Sequence, residues 1–184
     1  MKIALILLIL IGVGCSDSTS DNKPVTVTEL IDSGWNHFKN KDYNSSLQDF
    51  LAAKLLDSTN IEVLNGLGWT YLLLDDLNSS ENTFNNGLAI DSNASDLHAG
   101  LSLCLASSES FNESIIHIEE VLRLEPSWTF EFGLEINFAD LIFTESFLYF
   151  LLEDYENSLA SIQLLDPNFS ADIGTSNGIN LLAD

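Results

Sequence analysis

Three histidines, two cysteines and several acidic pairs are the side chains with which this sequence of 184 residues could do acid–base, nucleophilic or metal chemistry. His37, His98 and His117 show no spacing that would set two metal ligands on one helix face. His98 is expected near a core-facing helix surface and His117 on a following helix, both in structural roles. No HExxH, CxxC, GxSxG or phosphate-loop string occurs. Cys104 lies in the apolar stretch Leu101–Leu105, where a thiol packs as a small hydrophobe and is a poor nucleophile. The pairs Asp75-Asp76, Glu119-Glu120 and Glu153-Asp154 lack the alternating oxygen ligands of a calcium loop and read as solvated charge. No catalytic residue, no metal site and no cofactor is expected, and the protein is not expected to be an enzyme. A binding surface is what remains.

Charge and composition narrow the partner. The chain carries 28 acidic against 6 basic residues, a net charge of −22, and is 46% apolar. That apolar fraction supports one packed domain rather than an acidic disordered tail. Nucleic acid is excluded as a partner because binding phosphate requires Lys and Arg, which are scarce here. An anionic lipid surface is disfavoured for the same reason.

The N-terminus reads as an export signal. Lys2 supplies one positive charge, and Ile3–Val13 is an apolar run too short to span a bilayer, which takes about 20 residues. Gly14-Cys15, followed by the polar run 16–22, resembles a bacterial lipoprotein signal, although Gly12 stands where Leu is usual. The resemblance implies a signal peptide over 1–14, lipidation at Cys15, and a tether over 15–26. It also implies attachment to the cell envelope through the Cys15 anchor, at the periplasmic face of the outer membrane.

The remainder repeats every 34 residues. Tyr43, Leu77 and Phe111 form one column; Phe50, Phe84 and Ile118 a second; Ser46, Ser80 and Ser114 a third; Gly34, Gly68 and Ser102 a fourth. A fourth copy follows after 44 residues, with Ser146, Tyr155, Ser158 and Ile162. Each unit holds two amphipathic helices: 28–39 with 43–56, 61–74 with 77–90, and about 96–107 with 111–124. The small column marks where two helices cross closely, and the large columns fill the space between hairpins.

The period, Gly34 and Gly68, Asp42-Tyr43 and Asp154-Tyr155, and the terminal Glu125-Pro126 and Asp166-Pro167 resemble tetratricopeptide repeats over about 27–169. Ser occupies the column where that family prefers Ala, Pro is missing at Ser58 and Ser92, and the last second helix is about three residues short. The implied fold is all-α: a solenoid of four helix-turn-helix repeats over 27–60, 61–94, 95–128 and 139–169. An extended insertion (129–138) precedes the last repeat, and a capping helix is expected within 170–184. In the insertion Phe130, Phe132, Leu134, Ile136 and Phe138 alternate at strand period, which fits a strand, a small hairpin near Gly133, or an apolar loop between repeats.

The resemblance further implies a concave groove lined by the first helices. Carried over by register, it is lined by Trp35, Phe38, Trp69, Leu72, Leu103, Phe147 and Phe150, with Asn65 also at a groove position of the second repeat. Such an apolar row is either a protein-binding site or is covered by the insertion or the C-terminal segment. The basic residues that clamp a peptide carboxylate in some family members are absent apart from Lys39, so a carboxylate-terminated peptide is not the expected ligand. The expected function is an envelope adaptor for a protein or peptide partner. A self-assembling envelope subunit and a carrier of an apolar small ligand are the alternatives.

Overall fold

In the computed structural model residues 24–183 are described, with side chains through Leu182. The signal peptide, Cys15 and most of the tether therefore lie outside the described residues. Helices α1 (Val27–Lys39), α2 (Tyr43–Leu56), α3 (Ile61–Leu73), α4 (Leu77–Ile90), α5 (Ser95–Ser107), α6 (Phe111–Leu124), α7 (Phe138–Leu151) and α8 (Tyr155–Leu165) pack as four consecutive hairpins. A ninth helix, α9 (Ser176–Ala183), rests on α7 and α8. The architecture is an all-α solenoid.

One turn closes all four hairpins. Lys41, Asp75, Glu109 and Glu153 adopt φ of 62°, 62°, 62° and 61°. A left-handed backbone costs a non-glycine residue about 1–2 kcal/mol, offset here by the bonds that end the helix. The next N–H reaches back five residues each time: Asp42 to the carbonyl of His37 (3.0 Å), Asp76 to Tyr71 (3.0 Å), Ser110 to Leu105 (2.9 Å) and Asp154 to Tyr149 (2.9 Å). The carboxylates of Asp42, Asp76 and Asp154 then cap the second helices by accepting from the N–H of Ser45, Ser79 and Asn157.

The missing prolines have a substitute. Asp57, Asp91 and Asp166 each end a second helix and accept from the N–H two residues on, at 3.2, 2.9 and 3.0 Å. At Asp57 and Asp91 this Asx turn reverses the chain between repeats without proline, whereas at Asp166 it accompanies Pro167. Glu125 occupies the corresponding place in the third repeat, and there Pro126 follows.

Packing explains the columns. Phe50 is fully buried between Gly34 and Gly66, and Phe84 between Gly68 and Gly100. A Cβ at any of these four glycines would collide with the ring. In the third repeat Ser102 replaces the glycine of its column, and Ile118 replaces the phenylalanine. The serine column does not bond within its own helix. Ser80 Oγ donates to the carbonyl of Gly68 (2.9 Å) and Ser114 Oγ to that of Ser102 (2.7 Å), tying each second helix to its first. α8 has 11 residues where α2, α4 and α6 have 14, so the short last helix is present as read.

The insertion is not a continuous strand. One antiparallel bridge joins Thr129 and Asn137. The N–H of Phe130 donates to Ile136 O, and that of Phe138 to Trp128 O, each at 2.8 Å. The chain turns at Gly133 (φ +91°), a conformation that suits glycine. The result is a narrow strap between α6 and α7.

Candidate functional site

The strap lies along the concave face, and its alternation is explained by what it meets there. Trp128 donates its indole N–H to Asp96 Oδ1 on α5 at 2.7 Å. Two residues on, the Phe130 ring lies 4.2 Å from that of Trp69 on α3. Two further on, Phe132 stacks on Trp35 of α1, with centroids 3.6 Å and planes 11° apart. Lys39 Nζ sits 5.4 Å from the Phe132 ring centre. At the tip, Gly133 packs against Lys39, at the end of α1. The strap thus runs from the third repeat back to the first, placing every second side chain on a different hairpin. The period of two is that of an extended segment lying in a groove.

This changes the meaning of the apolar row. Trp35, Phe38 and Trp69 are 4%, 1% and 0% exposed, so at these three residues an open groove is replaced by a covered one. The covering segment is the insertion. Leu72, Leu103 and Phe150 are half-buried, and Phe147 is 45% exposed. Its neighbour one turn back on α7, Phe143, is 58% exposed. The concave row is therefore sealed at repeats one and two and open at repeat four. Filling is imperfect in one respect: the indole N–H groups of Trp35 and Trp69 are buried with no acceptor among the described residues.

The titratable residues form pairs the linear spacing hides. His98 and His117 meet with Nδ1 atoms 2.8 Å apart, because each lies about one helical turn beyond the Ser102–Ser114 bond that ties α5 to α6. His98 Nε2 is 3.1 Å from Ser92 O and donates to it; its neutral Nδ1 then accepts from His117 Nδ1–H. Burial, and secondarily the repulsion between two protonated rings at this distance from His98, hold His117 below its ordinary range, while Glu120 pulls the other way. His37 pairs with Asp49 at 2.9 Å. Cys104 is buried, its Sγ 3.3 Å from Leu77 O, and burial pushes its thiol up, away from nucleophilic use. Glu145 of α7 is 5% exposed; burial pushes its carboxyl up despite the bond donated by Ser161 Oγ (2.7 Å). Among the described residues no three His, Cys, Asp or Glu side chains converge to hold a metal ion. No helix among them is long and apolar enough to cross a membrane.

One residue of this face escaped the sequence reading, together with its link to a second. Asp96 is held by both Trp128 Nε1 and Asn65 Nδ2 (3.2 Å), and burial pushes its carboxyl up. Asn65 stood at a groove position in the register, but nothing in the sequence coupled it to an Asp 31 residues on.

No protein-family profile matches the sequence, and no curated protein is similar to it at the sequence level. Solved structures are similar in shape. A crystal structure of MamA superposes with a TM-score of 0.68 at 15% identity over 78% of each chain. The Arabidopsis OM64 TPR domain does so at 0.58 and 16% identity, over 66% of this chain and 93% of its own. The first TPR of Spaghetti (RPAP3), bound to the HSP90 peptide SRMEEVD, does so at 0.53 and 19% identity, over 55% and 80%. The fold is the tetratricopeptide solenoid. These identities carry the fold and nothing finer.

Proposed function

We propose that this chain is a non-catalytic adaptor of the bacterial cell envelope, anchored by a lipid on Cys15 and binding a protein partner through the open end of its concave face. The observation that carries the reading is the exposed pair Phe143 and Phe147 on α7, which continues the groove row beyond the strap. Large exposed apolar residues on a folded surface mark interaction sites, and aromatic side chains are frequent anchors there. A tetratricopeptide fold offers this face to extended or helical segments of other proteins. An acidic peptide such as the one held by the RPAP3 domain suits this chain poorly, since it carries −22.

A photo-crosslinking amino acid placed at Phe147 in the lipidated protein, in its own host, tests this. The expected result is one discrete adduct with another protein, lost when Phe143 is changed to Ser. No adduct, or an equal adduct from the exposed Asn86, would refute it. An adduct of twice the mass of this chain would favour the self-assembling subunit instead.

A further inference from the structure

Beside the strap, between the second and third repeats, an open cleft of about 510 Å3 carries the marks of a ligand site. Four carboxylates line it, Glu62, Asp96, Glu125 and Glu131, and no Lys or Arg does. Trp128 and Phe132 supply apolar wall. A set of acidic residues is by itself only solvated surface. Asn65 adds something different. It lines the same cleft, is 6% exposed, and its Oδ1 is buried with no hydrogen-bond partner among the described residues. Its other amide atom is committed, because Nδ2 donates to Asp96 Oδ2, and an ionised carboxylate only accepts. Trp128 Nε1 fixes the other Asp96 oxygen. A buried acceptor without a donor costs about 1–3 kcal/mol, so the site holds an unpaired carbonyl beside an oriented carboxylate whose two oxygens each accept one bond and keep a further lone pair.

We propose that this cleft binds an organic cation bearing N–H donors, an alkylammonium or alkylguanidinium group, with Asn65 Oδ1 and Asp96 as its acceptors. An anion is repelled by all four carboxylates. A neutral ligand leaves them unbalanced. A metal ion would need three converging side-chain ligands, which the described residues do not supply. The cation belongs either to a free small molecule or to a Lys or Arg side chain of a peptide. The proposal does not depend on the adaptor reading, because it needs neither Phe147 nor the anchor.

Calorimetric titration of the full chain in non-ionic detergent tests it, with butylguanidinium and butylammonium in one arm and a blocked Ala-Arg-Ala peptide in the other. Saturable binding is expected in at least one arm: in the first for a free cation, in the peptide arm alone for a protein side chain. Butylurea, neutral and of similar shape, should not bind. Asp96→Asn should weaken binding at least about tenfold, the size of one charged hydrogen bond. Should that variant fold poorly, the exposed pair Glu62→Gln/Glu131→Gln should weaken binding several-fold, as two screened charges do. Glu156→Gln on α8, outside the cleft, should leave it unchanged. No saturable binding in either arm overturns the proposal. So does equal weakening by Glu156→Gln, which would reduce the effect to the general field of an acidic protein, or tighter binding of calcium than of either cation.

Discussion

Replacing Phe130 by Ala should destabilise the whole solenoid, although Phe130 lies in the one segment outside the repeats. The ring is 2% exposed. Its centre lies 4.2 Å from Trp69, 5.4 Å from Phe132, and 6.1 Å from both Trp35 and Phe38. Truncating a buried Phe to Ala costs about 3–5 kcal/mol from lost transfer and cavity terms. One term opposes this. Water entering the vacated space can reach the buried indole N–H groups of Trp35 and Trp69, recovering part of the roughly 1–3 kcal/mol that each unmade bond costs. The expected net loss is therefore about 2–4 kcal/mol, a large fraction of the 5–15 kcal/mol typical of a domain. Urea unfolding followed by circular dichroism measures it, and native tryptophan emission should shift to the red. Phe147→Ala, at 45% exposure, is the control and should lose under about 1 kcal/mol. If Phe130→Ala cost no more than Phe147→Ala, the strap would be an ornament on the groove rather than its filling.

Three other outcomes follow from the same geometry. Gly68→Ala should cost about 1–3 kcal/mol by overpacking against Phe84, and much less in a Phe84→Leu background; additive losses in that double-mutant cycle would show that ring and glycine are not in register. Because His117 is held below its ordinary 6.5, the native state favours the neutral imidazole. Stability should therefore be full above that pH and fall on acidification, and His117→Gln should flatten this fall in a melting series between about pH 7 and 5. Cys15→Ser should release the protein from the membrane fraction or leave its signal uncleaved; unchanged fractionation with normal processing would end the lipoprotein reading.

What could be read from the sequence, and what could not, divides along one physical line. The columns Gly34/Gly68, Phe50/Phe84 and Ser46/Ser80/Ser114 are set by contacts inside a hairpin or between adjacent hairpins, so each leaves a trace at a fixed interval. Hence the helices, their hairpin pairing and the short α8 were all legible. The strap makes contacts 61 residues away, between Phe130 and Trp69, and 97 away, between Phe132 and Trp35. Neither interval is a multiple of the repeat. Its alternation was visible as a strand period, and cover of the apolar row by the insertion was one of the readings, but nothing in the sequence chose between that and an open groove. The His98–His117 pair was within reach: Ser102 and Ser114 are tied across the same turn, and the histidines sit one helical turn further out on each helix. Asn65 and Asp96 were not, since their bond spans 31 residues rather than 34 and so joins unlike positions of adjacent repeats.

The strap also changes which chemistry the concave face presents. Trp128, Phe130 and Phe132 point into the groove, and the intervening Glu131 is exposed, as is Glu135 on the return leg. The side chains that would have shown an aromatic row to solvent are exchanged for carboxylates over the first three repeats. Only at α7, past the end of the strap, do Phe143 and Phe147 remain uncovered. A surface with an apolar end and an acidic body selects against partners with the same charge by repulsion, and it steers basic ones by long-range attraction. The filled groove therefore does more than stabilise the repeats. On the concave face it leaves exposed aromatic rings on α7 and exposed carboxylates along the strap.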